Sequence, residues 1–471
     1  MKLYNTLTRQ TELLKPQHPP EVTVYTCGPT VYDYPHIGNW FTFIRYDLVV
    51  RSLQASGLKV KWVMNITDVG HLVSDGDEGE DKLEKGARRD AKTAWQVAAF
   101  YGDYFIKGLD RLNILRPDYL PKATDHIAEQ IQLIQQLETK GYTYVIDDGV
   151  YYDTSKFPNY ADFGRLDIDE QQAGARVEHN PKKRQATDFA LWKFSPTDHQ
   201  RDMEWDSPWG KGFPGWHLEC SAMSMKYLGN TIDLHAGGID HIPVHHTNEI
   251  AQSQAVTGKP LANCWMHTNH VTVEGEKISK SLGNTTTLED IEARGLSLMA
   301  FRLHVLESHY RSQSKFSWKS LEAASRRLKS LEAMADLIWQ PIGHPNKPVD
   351  FDVESQKILN DMQDDLNTPA VLASLSGLQA QLEKDLLEPG DTKDFKQFLK
   401  SLDLILGLQL QNRPDLTDKQ KTLIKERSTA RQAEDWNKSD DVRDQLAHQG
   451  VALRDTPYGA VWYRLDQKVA I

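Results

Sequence analysis

The sequence predicts an α/β protein in which a doubly wound parallel sheet is interrupted by a connective insertion, then followed by a helical bundle and a small C-terminal α/β module. Three observations predict it. Near the N-terminus a strand, a helix and a second strand succeed one another. The stretch from Arg116 to Gln200 breaks into helix-like and hairpin-like patterns. From Ser317 to Leu410, leucine and alanine recur at helical spacing with few glycines.

Glu21 to Thr26 alternates, with Val22, Val24 and Thr26 on one side and Glu21, Thr23 and Tyr25 on the other, and reads as a strand that ends at the Gly28-Pro29 turn. From Trp40 to Leu53 apolar residues (Phe41, Ile44, Leu48) return at helical spacing, and Val60 to Ile66 reads as a second, mostly buried strand. This β-α-β unit is the opening element of a nucleotide-binding sheet. Between Leu72 and Asp90 a charged, glycine-rich run predicts a surface loop that leads into a helix from about Ala91. Inside the insertion, His126 to Lys140 predicts a helix and Tyr142 to Asp153 a hairpin. Trp205 to Thr257 returns to short apolar runs, glycine turns and a helix. Beyond the bundle, Leu423 to Gln449 predicts two charged helices, and Val451 to Arg464 a strand pair turning at Tyr458-Gly459.

With 471 residues the chain exceeds what one hydrophobic core serves, so several domains are expected. No stretch approaches the roughly 18 apolar residues of a membrane span, and MKLYNTLTRQTELLKP lacks the apolar centre of a signal peptide, which predicts a cytoplasmic protein. Three cysteines (Cys27, Cys220, Cys264) are too few for a disulfide framework. The formal charge of −11, from 55 basic and 66 acidic residues, excludes a surface coated in positive charge. A nucleic-acid partner must rely on local patches such as Lys182-Lys183-Arg184 or Arg326, Arg327 and Lys329.

Three sets of residues carry chemistry. Pro35-His36-Ile37-Gly38-Asn39 follows a strand at the mouth of a helix, where free N–H groups and the helix dipole favour phosphate, and His36 and Asn39 can both donate hydrogen bonds to it. Lys277-Ile278-Ser279-Lys280-Ser281-Leu282-Gly283-Asn284 can place two ammonium groups on a phosphate chain as charge develops on a departing pyrophosphate. Read alone, the first string is a helix entry and the second a basic turn. The third set is Cys27, Cys220, His245 and Glu249, the last two sharing one face of a segment that reads as helix from His245 to Ala255. Two thiolates, an imidazole and a carboxylate suit zinc. Buried cysteines and His-x3-Glu pairs also occur in plain cores, so residue types leave both readings open.

The two strings, in this order, resemble the paired signature motifs of class I aminoacyl-tRNA synthetases. Tyr25-Thr-Cys-Gly-Pro-Thr-Val-Tyr-Asp33, Gly215-Trp-His-Leu-Glu-Cys-Ser-Ala-Met223 and His245-His-Thr-Asn-Glu-Ile-Ala-Gln-Ser253 are similar to segments of the cysteinyl-tRNA synthetases, and the resemblance extends over essentially the whole chain. It implies a Rossmann-like catalytic domain that uses ATP with Mg²⁺, L-cysteine and tRNA(Cys), works as a monomer and needs no membrane. It implies one Zn²⁺ per chain, held by Cys27, Cys220, His245 and Glu249, with His246 and Cys264 outside the ligand set. His36, Asn39, Lys277 and Lys280 are implied as catalytic, and Pro29, His36, Gly38, Asn39 and Lys280 as ATP-binding. Thr67, Trp216, His235 and Asp240 are implied around the amino acid, and Arg431, Asp440 and Asp455 at the anticodon, whose splayed bases side chains can read. The expected divisions are 1–115 and 201–262 for the two halves of the catalytic domain, the second with the zinc site, and 116–200 for the insertion. Residues 263–316 form the signature-loop and stem-contact region, 317–410 the bundle and 411–471 the anticodon-binding domain.

A thiol-reading metal answers a problem of specificity. Packing alone separates near-isosteric side chains by only about 10- to 200-fold, whereas a metal with thiolate ligands prefers sulfur to a neutral alcohol. No editing module is therefore expected. The sequence departs from the family in three places. Asn39 stands where many members have histidine, an acidic run replaces the usual continuation after Asn65-Ile-Thr-Asp68, and Pro243-Val-His-His-Thr-Asn-Glu249 changes the surroundings of the implied ligands. Two rivals remain: a cysteine ligase that acylates an amino sugar, against which the Ala430 to Arg464 segment argues, and a silent homologue that only binds RNA or protein.

Overall fold

The structure is a computed structural model that describes residues 1–70, 81–166, 181–197, 200–278, 285–344 and 348–465. The chain forms two compact units, one of residues 1–298, 308–317 and 363–366, the other of residues 299–307, 318–362 and 367–471.

In the first unit the elements run β1 (Lys2–Asn5), β2 (Gln10–Leu13), β3 (Glu21–Thr26), α1 (Ile37–Ala55), β4 (Lys59–Met64), α2 (Lys82–Asp90), α3 (Ala94–Arg111), α4 (Ile127–Thr139), β5 (Thr143–Ile146), β6 (Gly149–Tyr152), β7 (Phe189–Phe194), β8 (Gly212–Pro214), α5 (Trp216–Leu228), β9 (Ile232–Gly238), α6 (Thr247–Thr257) and β10 (Ala262–Thr268). The central sheet has the order β10-β9-β3-β4 with every pair parallel. Beyond β4, parallel bridges Val63↔Tyr119 and Ile66↔Lys122 add residues 119–122 at its edge. The chain leaves β3 toward β4 on one side and, after the insertion, runs from β9 to β10 on the other. The strand order therefore reverses between β3 and β9, and the crevice at their carboxyl ends is where such a sheet receives ligands. Cys27 and Gly237-Gly238 stand there, with Cys27 N–H donating to the Ala236 carbonyl at 3.0 Å.

Burial explains the elements. Val22, Val24 and Tyr25 of β3, and Trp62, Val63 and Met64 of β4, are all buried, as strands covered on both faces require. Helix α1 packs Trp40 flat on Phe105 of α3 at 5.6 Å. Gly108 permits this contact, because a Cβ there would meet the Trp40 ring at 2.3 Å. The insertion carries α4 and the hairpin β5-β6, as its helix and hairpin patterns predicted; β7, and β8 from beyond Gln200, extend the hairpin into an antiparallel sheet of order β5-β6-β7-β8 that the patterns did not indicate.

Two local expectations need correction. Residues 82–90 are helix α2, where a loop was expected up to Asp90; residues 71–80 of that run lie outside the described residues. Asp81 starts the helix by accepting from the N–H groups of Leu83 and Glu84 at 2.7 and 3.1 Å, and Leu83, Gly86 and Ala87 are buried beneath it. Asp81 also forms a buried ion pair with Arg201, whose guanidinium stacks 3.8 Å from the Phe213 ring. The helix expected from His245 begins at Thr247, preceded by a π-helical turn at Ile242–His246.

The second unit is built from helices Trp318–Asp336, Phe351–Gln363, Thr368–Asp385 and Thr392–Leu406, then Asp418–Gln432 and Trp436–His448, and ends in the antiparallel pair Val451–Thr456 and Gly459–Arg464. Buried Asp336 gathers Arg413 (2.8 Å through each carboxylate oxygen) and Arg464 (3.2 Å), fixing the C-terminal hairpin to the first long helix. Among the described residues no helix is long and apolar enough to cross a membrane.

Candidate active site and metal centre

Four segments deliver a buried cluster to the crevice. Cys27 ends β3, Cys220 lies in α5, His235 in β9, and His245, His246 and Glu249 come from the π-turn and the first turn of α6. One donor atom each from Cys27, Cys220, His245 and Glu249 lies within 4.8 Å of the others, and a second set, Cys27, His235, His246 and Glu249, meets the same limit. All are buried. His245 Nε2 and Glu249 Oε1 approach to 2.8 Å, yet Oε1 has no aligned hydrogen bond. An imidazole nitrogen and a carboxylate oxygen converging beside two thiols are a donor set that fits a thiophilic cation such as zinc.

The surroundings orient these groups. Glu249 Oε2 accepts from His235 Nε2 at 2.7 Å, His245 Nδ1 meets His217 Nδ1 at 2.9 Å, and Cys27 Sγ lies 3.2 Å from His246 Nε2. His246 Nδ1 meets His267 Nε2 at 2.7 Å, and His267 Nδ1 meets the Thr6 hydroxyl at 2.7 Å. Trp265 stacks on His235 at 4.5 Å. A hydrogen bond with Cys27, and next to it His245, holds the Cys220 thiol down at about 7, while burial pushes Cys27 well up. Burial opposes charge on His245, but Glu249 and Cys220 outweigh it and raise its pKa to about 10. Burial also opposes charge on Glu249, yet His235 and His245 hold its carboxyl well below the ordinary range. His246 and His267 are driven well below by burial and by neighbouring histidines. The cluster thus favours ionised Cys220 and Glu249 balanced by a cationic His245, with His246 and His267 neutral.

The residues expected around an amino acid lie at different depths. Trp216, half-buried at the first position of α5, tilts over His245 at 4.5 Å and receives the Lys82 ammonium at 5.5 Å. His235 is fully buried and turned to Glu249. Thr67 is buried beside the 28–31 turn, its N–H donating to the Pro29 carbonyl at 3.0 Å, and Asp240 is exposed above β9. Gly28 is required at that turn, since a Cβ would meet the Asn65 carbonyl oxygen at 1.7 Å.

On the phosphate side, His36 caps α1, and the Asn39 side chain accepts from the His36 N–H at 3.0 Å. Ile37 N–H donates to the Thr286 carbonyl at 2.8 Å, and a Cβ on Gly38 would meet Ile278 at 2.8 Å, so the two signature strings adjoin. Lys277 closes the short strand Glu276–Lys277 opposite Thr272; Lys280 lies outside the described residues.

In the second unit, Arg431 and Asp455 meet at 3.3 Å, beside a bidentate Arg427–Asp455 pair at 2.8 Å. Asp440 pairs separately with Arg443 at 3.1 Å. The Arg431 guanidinium lies 5.5 Å from the ring of Trp436, which is exposed. Sequence reasoning missed His217, His267, Thr6 and Lys82. Each carried only a common residue type, and proximity came from the fold.

Residues 13–326 match the family described as tRNA synthetases class I (C) catalytic domain, residues 357–411 the DALR domain, and residues 413–464 the cysteinyl-tRNA ligase anticodon binding domain. Cysteine–tRNA ligase 1 of Burkholderia lata is 46% identical over 464 residues, 98% of this chain and 96% of that protein. The cysteine–tRNA ligase of Treponema denticola is 40% identical over 496 residues, 99% of this chain and 100% of that protein. A solved structure of Mycobacterium tuberculosis methionyl-tRNA synthetase in complex with methionyl-adenylate has a TM-score of 0.59 at 14% identity, covering 83% of this chain and 92% of that one, a likeness of fold alone.

Proposed function

Because the chain belongs to the cysteine–tRNA ligases, a class I aminoacyl-tRNA synthetase family, we propose that its buried sulfur, imidazole and carboxylate cluster is the device that selects cysteine. The family's reaction joins cysteine to tRNA at the expense of ATP, with Mg²⁺ accompanying the nucleotide. The observation that carries the proposal is the convergence of Cys27, Cys220, His245 and Glu249 within 4.8 Å at the carboxyl end of β3. When bound there, zinc supplies a Lewis acid that prefers a sulfur ligand to a hydroxyl oxygen, which separates cysteine from serine at the binding step.

The chain's own residues then have distinct tasks. Trp216 covers His245 and walls the pocket against water, and Thr67 and Asp240 border the amino acid. ATP settles at the N-terminus of α1, where Pro29, His36, Gly38 and Asn39 border its phosphates and the helix supplies N–H donors. The cysteine carboxylate attacks the α-phosphorus, the bond to the bridging oxygen breaks, and Lys277 and Lys280 take up the charge on leaving pyrophosphate. A hydroxyl of the terminal ribose of tRNA next attacks the carbonyl of the adenylate, and AMP leaves. This second step needs mainly positioning, since the acyl group is already activated. Arg431, Asp440 and Asp455 read anticodon bases within residues 411–471, and residues 116–200 act as connective insertion without editing.

Cysteine-dependent ATP–pyrophosphate exchange, transfer of labelled cysteine to tRNA, and elemental analysis on one preparation test the proposal. The expected result is one zinc per chain, both activities, and loss of the cysteine-over-serine preference on removal of the metal. Full preference in metal-free protein would overturn it.

A further inference from the structure

Helix α2 touches both ends of the crevice. Near its C-terminus, Arg89 pairs with Asp33 at 2.9 Å and donates to the Tyr32 carbonyl at 3.2 Å, so it grips the turn that leads into Pro35 and His36. Gly86 lets the helix press on that turn, because a Cβ there would meet the Tyr32 carbonyl oxygen at 3.1 Å. At the other end, the Asp81 carboxylate caps the helix and pairs with buried Arg201, on the chain that returns from the insertion. Lys82 follows Asp81 directly, and its ammonium stands 5.5 Å from the ring of Trp216. Residues four and seven apart share one helix face, so Lys82, Gly86 and Arg89 point the same way. A helix of this length spans about 13 Å, enough to lie between the phosphate end and the amino-acid end of the crevice.

We infer that Lys82 is a substrate-binding residue whose ammonium takes the carboxylate of the amino acid that Trp216 walls in. The inference rests on the cysteine-activating reading above and adds the cation that this reading leaves unassigned. Adenylate formation brings a carboxylate up to the α-phosphate, and two anions repel one another strongly where water is excluded. In that reading Lys277 and Lys280 attend the departing pyrophosphate. Thr67, Trp216 and Asp240, which border the amino acid, carry no positive charge, and His235 is turned to Glu249. Lys82 supplies the missing cation at the pocket wall. Two features separate it from a surface lysine that merely lies on a ring. Its ammonium meets the one tryptophan that also tilts over His245, at 4.5 Å, and its backbone is fixed by the buried Asp81–Arg201 pair one residue earlier.

An ammonium that holds one carboxylate oxygen leaves the other directed at phosphorus. The charge it answers is present before the reaction begins, so its loss should fall mainly on substrate binding and less on turnover. Arg89 has a different part. It is a positioning residue, which keeps Tyr32 and Asp33 against α2 and so holds the approach to His36 in register with Lys82.

The test measures ATP–pyrophosphate exchange by the full-length protein and, beside it, inhibition by cysteamine, which keeps the thiol and amine of cysteine but has no carboxylate. Lys82→Met should raise KM for cysteine at least about 10-fold while KM for ATP moves by less than about twofold, and Lys82→Arg should recover most of the loss. Cysteamine should inhibit wild type and Lys82→Met alike, since it offers the ammonium nothing to hold. An unchanged KM for cysteine in Lys82→Met would overturn the inference. So would equal weakening of cysteine and cysteamine, which would show that Lys82 only shapes the pocket. Wild-type protein without cysteine-dependent exchange would overturn the underlying reading instead.

Discussion

Glu249 answers two demands at once, one oxygen facing His245 Nε2 at 2.8 Å and the other held by His235 at 2.7 Å. A carboxylate so tethered cannot swing away from a cation, which makes the site depend on its softer members for selectivity. Cys220→Ser should therefore release zinc at least about 10-fold faster and raise KM for cysteine far more than KM for ATP; equal changes in both constants would remove the thiol-reading role. Asp68 makes a different prediction. Burial raises its pKa to about 6 against hydrogen bonds from the Thr124 N–H and hydroxyl, with Glu219 raising it further and Lys122 lowering it. In the unfolded chain the group ionises near 4, so the native state binds more protons between those values and stability falls as pH rises through that window. Its ionisation costs on the order of 3 kcal/mol at neutral pH. Asp68→Asn should narrow the gap between urea midpoints at pH 5 and pH 8, and an unchanged gap would show that Asp68 titrates alike in both states. At this scale residue types left Cys27, Cys220, His245 and Glu249 open between core and metal site, and the family resemblance singled them out as a set; the structure brings one donor atom of each within 4.8 Å of the others. No residue pattern pointed to His217, His267 or Thr6, since a histidine that orients another histidine has no characteristic neighbours along the chain.

Helix α2 exists because one residue caps and anchors it. Asp81 accepts from the N–H groups of Leu83 and Glu84 and pairs with Arg201, and both side chains of that ion pair are buried. Asp81→Ala removes the cap, worth about 1 kcal/mol, and leaves the buried guanidinium of Arg201 only the more distant Glu84 carboxylate at 4.0 Å, a further loss of up to about 3 kcal/mol. Asp81→Asn keeps the cap and loses the charge. Chemical denaturation should rank the variants Ala below Asn below wild type, and similar midpoints for Ala and wild type would mean that Arg201 is solvated without its partner. The run before α2 is rich in glycine and charge, so composition favoured a loop, and the helical register of Leu83, Gly86 and Ala87 is too short to outweigh it. The π-turn at Ile242–His246 was hidden for a related reason. Its extra residue per turn leaves no trace in residue types, yet it brings His245 into the site while His246 faces Cys27. By contrast β3, α1 and β4 were legible, because burial on both faces of a parallel sheet demands long apolar runs.

The order of the whole chain was legible where periodicity is long, in the strand-helix-strand opening, the insertion hairpin and the helical second unit. What periodicity cannot express is which distant segments meet. Cys27 belongs to the first half of the sheet, whereas Cys220, His245 and Glu249 follow the insertion, so the metal proposed for this cluster would link the two halves across the reversal of strand order. All four lie in the first compact unit, and the second contributes none of them. Ligand binding to the native state adds its free energy to folding, about 4 kcal/mol at a thousandfold excess over Kd, and the binding energy of a metal site absent from the unfolded chain is folding energy. For a unit of this size that corresponds to a melting shift of roughly 6 °C. Scanning calorimetry should therefore show two transitions. Chelation should lower one of them and leave the other in place, and readdition of zinc, but not magnesium, should restore it. A single transition that moves as a whole would contradict the independence of the two units, and transitions indifferent to chelation would contradict the cross-link.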